Sequence, residues 1–185
     1  VKKQFSDTSE EGLAFIYATE GSTLDSLHED LFKQISREKK GGAGNATSNT
    51  MDILNKLPRW FVKFFIWLMR QLDRHGIVPK AIIEADPYYA SVILSNLGSI
   101  KLRSGYHHLT NWGTTSLFVV VGEMKERIFR NENGEDEYRN SVDLGLTIDE
   151  RLADGYYYSK SVRLLKYILE HPECLERPFS EPVDY

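Results

Sequence analysis

An α+β fold built on a mixed sheet is what the residue order of this chain predicts. Three observations lead there. Segments rich in aromatic and β-branched residues occur alongside amphipathic helical ones. The strand-like segments crowd into the second half with no helices between them, and Asn133-Gly134 sits between two of them as a hairpin signal. At 185 residues the chain is long enough for one domain, 1–185, with a full core and no internal repeat.

The elements follow in order. Leu13 to Thr19 reads as a strand. Ser22 or Thr23 offers a cap for a helix whose apolar face is Leu24, Leu27, Leu31 and Ile35. Residues 41–49 (GGAGNATSN) read as a flexible internal linker, and its Asn45-Ala46-Thr47 sequon carries no weight in an intracellular protein. Met51 to His75 has helical spacing, with Pro58 dividing it so that the longer helix starts there and Gly76 stops it. Strands are expected at Tyr89 to Leu94, Leu117 to Val121 and Val142 to Ile148. Glu126 to Phe129 and Asp136 to Asn140 flank the hairpin turn. Tyr158, Val162, Leu165 and Leu169 line one face of a last helix, Tyr156 to Glu170, and 179–185 form a C-terminal tail.

Composition narrows the classes. A net charge of −4 supplies no basic field for nucleic acid. The single cysteine, Cys174, excludes an internal disulfide framework, fits a reducing, cytoplasmic setting, and reads as a small structural or surface thiol. No signal peptide is visible at Val1-Lys2-Lys3-Gln4, and the missing initiator Met suggests a trimmed piece of something longer. Trp60 to Met69 is the most apolar stretch, far short of the roughly 20 residues that span a bilayer. Core or subunit packing is its default reading. Its flanking Arg59, Arg70 and Arg74 also permit peripheral membrane contact through 59–69.

The candidate chemistry centres on Asp149-Glu150-Arg151-Leu152-Ala153-Asp154-Gly155, an acidic turn with Gly between a strand and a helix. This segment resembles the Asp-His-Arg-x-x-Asp-Gly signature of dihydrolipoyl acyltransferase catalytic domains from 2-oxo acid dehydrogenase complexes, with Glu150 where the family has His. More distantly, the likeness extends to chloramphenicol acetyltransferase. Ile93-Leu94-Ser95-Asn96-Leu97-Gly98 is similar to the family's Thr-Ile-Ser-Asn-Leu-Gly strand end, and Thr115 to Gly122 stands where an apolar family strand ends in Gly. The likeness runs from about Leu13 to Pro178.

The resemblance implies a chloramphenicol acetyltransferase-like mixed sheet flanked by helices, without the family domain's opening portion. It implies a trimer with active sites between subunits, and a coenzyme A thioester as cofactor. By position, Glu150 stands where the base belongs and Ser95 where the oxyanion donor belongs, with Asn96 beside it. Arg151 and Asp154 correspond to an ion pair that shapes the turn, and Gly155 to the tight entry into the helix.

A carboxylate is a poorer base for this task. Proton transfer from a thiol to His is uphill by roughly 2.7 kcal/mol, and to an unperturbed Glu by roughly 5.7 kcal/mol. The difference of about 3 kcal/mol is a loss on the order of a hundredfold. Burial of Glu150, or a close approach of Asp149 and Asp154, would recover part of it. Tyr106-His107-His108 falls between the matched motifs, so His107 or His108 could supply the missing base, although a packed structural pair is the simpler reading. As metal ligands they are incomplete, with no cysteine or carboxylate to finish a set, and no metal is expected.

Overall fold

The computed structural model describes residues 12–39, 56–178 and 181–185. The expected linker at 41–49 lies outside them, as does the start of the segment from Met51. The fold is α+β with a small mixed sheet of three strands. The chain forms two compact units, Arg70–Leu152 and Val1–Met69 with Ala153–Tyr185.

The Arg70–Leu152 unit is built on the sheet. Strand β1 (Val92–Asn96) pairs in parallel with β2 (Leu117–Arg130), which pairs antiparallel with β3 (Asp136–Ile148). The separate strand segments expected around 117–129 and 136–148 are two continuous strands. A bulge places Gly122 and Glu123 opposite Asp143, which bends β2 without ending it. The hairpin turn falls where Asn133-Gly134 predicts it. The Asn131 side chain accepts from the backbone N–H groups of Asn133 and Glu135, and Gly134 takes a φ of +82°.

β1 begins three residues later than expected. Asp86 accepts a hydrogen bond from the Tyr88 N–H, which folds Pro87–Tyr89 into a 3-10 turn ahead of the strand. Trp112 Nε1 donates to the other Asp86 oxygen at 2.6 Å. A short helix, Lys80–Ala85, precedes this turn.

The register sorts the sheet into two faces, because alternate residues share a side. Ile93, Ser95, Phe118, Val120, Gly145 and Thr147 share one. The β1–β2 connection runs across that face so closely that a Cβ at Gly145 would collide with the Gly105 carbonyl oxygen. Val120 is the buried apolar side chain beneath it, a burial that contributes on the order of 1.5–3 kcal/mol. The opposite face carries Val92, Leu94, Val119, Leu144 and Leu146, and continues along the hairpin through Met124, Ile128 and Tyr138. Leu94, Met124, Ile128 and Tyr138 are exposed.

In the other unit, α1 (Leu24–Lys39) starts as expected. Thr23 Oγ1 accepts from the Ser26 N–H while Ser26 Oγ accepts from the Thr23 N–H, a reciprocal cap. The strand expected at Leu13 to Thr19 is not one. Among the described residues no neighbouring strand meets it, and the Gln34 side chain satisfies both the N–H and the carbonyl of Phe15. Helix α2 (Arg59–Arg74) starts next to Pro58, and the division between the units falls within it, after Met69. It ends in a Schellman motif, with Ile77 N–H to Leu72 O and Gly76 N–H to Asp73 O, and Gly76 at a φ of +66°.

With Lys80–Ala85 as α3, the last helix is α4 (Gly155–Glu170). Its face is less covered than its spacing suggests: Val162, Leu165 and Leu169 are exposed and Tyr158 is half-buried. A 3-10 turn, Pro172–Glu176, packs on α4 and α1, and Tyr185 of the tail approaches Tyr167. Among the described residues, no helix is long and apolar enough to cross a membrane.

Candidate functional site

The acidic turn follows β3 directly. Asp149 N–H donates to the Ser116 carbonyl at 2.9 Å, fixing the turn to the start of β2. The Asp149 carboxylate accepts from the Arg151 backbone at 3.0 Å and receives the Arg151 guanidinium on both oxygens, at 2.8 and 2.6 Å. These hydrogen bonds hold the Asp149 carboxyl below the usual carboxylate range. Glu150, between the two, is exposed.

Arg151 therefore takes Asp149 as its partner, not Asp154. The Asp154 carboxylate instead accepts from the Tyr157 N–H at 2.9 Å and caps α4, satisfying an otherwise orphaned helix donor. The expected role for Gly155 is also corrected. It has no positive φ, and an added Cβ meets no atom within 4 Å among the described residues, so the turn needs no glycine there.

A shallow open cleft of about 420 Å³ lies beside the turn, lined by Leu109, Thr110, Asn111, Thr147 and the segment Ile148–Arg151. Leu109 to Asn111 and Thr147 were not singled out from sequence. The apolar alternation of β3 (Val142, Leu144, Leu146, Ile148) leaves Thr147 in the polar set, and nothing in the pattern marked the loop wall. Thr147 Oγ1 is buried and has no hydrogen-bond partner among the described residues.

His107 and His108 do not line this cleft. The His107 ring lies flat on Phe118 at 4.3 Å, and His108 stacks on His107 at 5.0 Å. Phe118 pairs across the sheet with Thr147, so His107 sits one cross-strand pair from the cleft wall. His107 Nδ1 is 2.9 Å from the His108 carbonyl, which can only accept. The proton of a neutral His107 therefore sits on Nδ1, leaving the lone pair on Nε2.

Ser95 stands elsewhere. It shares a sheet row with Val120 and Gly145, whereas Glu150 lies two residues past Ile148, whose row is Leu117 and Val92. Strand rise and spacing put the two on the order of 15–20 Å apart within one chain. Asn96, next along, accepts from the Ser99 N–H and so fastens the turn after β1. Among the described residues no group of three or more His, Cys, Asp or Glu could hold a metal ion.

No protein-family model matches the chain, and no curated protein does. Among solved structures it is similar to a probable dihydrolipoamide acetyltransferase from Listeria monocytogenes 4b F2365, with 19% sequence identity and a TM-score of 0.40. That likeness covers 60% of this chain and 44% of the other, so the chain spans less than half the length of this relative.

Proposed function

We propose that this chain is an acyltransferase-type protein of the cytoplasm, acting on a coenzyme A or lipoyl thioester at a site shared between copies. Glu150 of one copy faces Ser95 of the next. The observation that carries the reading is the connection from β3 to α4: a strand, a turn braced by Asp149 and Arg151, and a capped helix, with Glu150 exposed between them. Glu150 stands where the resembled signature has its base. The separation of Ser95 from Glu150 within one chain supports assembly from two copies, a trimer by resemblance. The exposed apolar face at Leu94, Met124 and Ile128 supplies surface for such a contact.

In this site the Glu150 carboxylate takes the proton of the acceptor thiol or hydroxyl. The acceptor S or O attacks the thioester carbonyl carbon. Ser95 Oγ–H donates to the oxyanion that forms, and the C–S bond then breaks, the leaving thiolate taking the proton back from Glu150. His107 Nε2 offers an imidazole on the sheet face that carries Ser95, a second place for that proton.

A second reading is a non-catalytic trimeric scaffold, or a protein that binds an acyl or coenzyme A ligand on the same fold. The observation that favours it is Glu150 itself, an exposed carboxylate where the resembled signature has an imidazole. Acetyl-coenzyme A turnover and calorimetry with coenzyme A test both. Transfer or hydrolysis that falls on Glu150→Gln supports the enzyme. Activity that appears only in Glu150→His supports an intact pocket that has lost its base. No turnover and no coenzyme A binding rejects the proposed function.

A further inference from the structure

The sixteen residues of α2 carry a feature that acyl transfer does not use. At about 100° per residue, Arg59, Lys63, Arg70 and Arg74 fall within an arc of about 60°. Trp67, Trp60 and Phe64 follow along one edge of that arc, and Ile66 borders the other. All of these are exposed: Trp60 is 71% and Trp67 55% accessible. Among the described residues no salt bridge engages any of the four cations. The helix has one carboxylate, Asp73, and it accepts from Tyr89 Oη at 2.7 Å.

We infer that α2 is a docking surface for an anionic lipid bilayer, on which it lies flat. Charge complementarity carries the assignment, because these four cations share one exposed stripe in a chain whose net charge is −4. The placement of the tryptophans selects a bilayer over a protein partner. They sit at the border between cations and apolar residues, the depth at which indole rings settle between headgroups and acyl chains. Arg and Lys stems reach up from that depth to the phosphates. A protein interface of this kind would bury the aromatic residues centrally and leave charges out of its core. Phe64 stacks on Trp67 and Trp60 meets Phe61 edge-on, so each tryptophan is paired with a phenylalanine along the helix. At roughly 24 Å the helix is too short to span a bilayer and is suited to the interface.

The test is co-sedimentation of the full chain with phosphatidylcholine vesicles, with and without roughly one third phosphatidylserine. Tryptophan emission is read in parallel. Binding to the anionic vesicles alone, a blue shift, and loss of binding in high salt are expected. Lys63→Gln with Arg70→Gln weakens binding by roughly thirtyfold, since each cation is worth about fivefold at such a surface. Trp60→Ala with Trp67→Ala weakens it by roughly tenfold or more and removes the blue shift. All four positions are exposed, and circular dichroism checks that the variants stay folded. Equal binding to neutral vesicles, or no binding, overturns the inference. So does a drop in solution mass of the tryptophan variant without vesicle binding by the wild type, which assigns the face to a second copy.

Discussion

Ser95 and Glu150 stand on opposite sides of β2, Ser95 on β1 in the row of Val120 and Gly145, Glu150 past the end of β3 and beyond the row of Leu117 and Ile148. The cause is strand direction. β1 and β2 run parallel from the same end, so Ser95 near the end of β1 lies three rows in from the start of β2. β3 returns antiparallel and delivers its end, with Glu150, to the start of β2. A hydroxyl and a carboxylate so placed cannot flank one thioester within a chain.

The brace between Asp149 and Arg151 gives a pH dependence with a definite sign. Asp149 is held below its usual range by Arg151, so its contribution to the turn is fully present above the ordinary carboxylate value, about 3.9. It is lost as pH falls through the lowered value of the folded chain. Carboxyl carbon NMR is expected to show Asp149 titrating below ordinary aspartates, and Arg151→Gln to move it upward.

Asp154 and Gly155 are expected to respond in opposite directions. Asp154→Ala removes the cap on the Tyr157 N–H and costs about 1 kcal/mol. Gly155→Ala meets open space without a positive φ and stabilises by about 0.5 kcal/mol. Thermal unfolding of both variants checks the pair. A Gly155→Ala loss as large as that of Asp154→Ala would mean that the entry to α4 is tighter than described.

Thr147→Val tests the cleft wall. The Oγ1 of Thr147 is buried without a partner among the described residues, so an apolar group of the same shape is expected to stabilise the ligand-free chain by about 1 kcal/mol. Denaturant unfolding measures it. Destabilisation by a similar amount would mean that the hydroxyl is hydrogen-bonded after all.

What was legible in sequence was local. Asn133-Gly134, Gly76 after α2, and Thr23 before α1 each encode a turn or cap through their own backbone and side-chain chemistry, and each does what its pattern predicts. Leu13 to Thr19 has strand-like composition, but a strand also needs a neighbour, and Gln34 reaches Phe15 instead. The ion-pair role of Asp154 is what the resemblance alone implies. The backbone entering α4 turns its carboxylate to a helix N–H. The distance between Ser95 and Glu150 depends on the pairing and direction of three strands, which no single segment encodes.

Acetyl-coenzyme A turnover by a co-expressed mixture of Ser95→Ala and Glu150→Gln copies measures the shared site most directly. Each variant alone is expected to be inactive. The mixture is expected to regain roughly a quarter of wild-type turnover, because one site in about four then joins an intact Ser95 to an intact Glu150 from different copies. A mixture that turns over no faster than either variant alone would contradict the account.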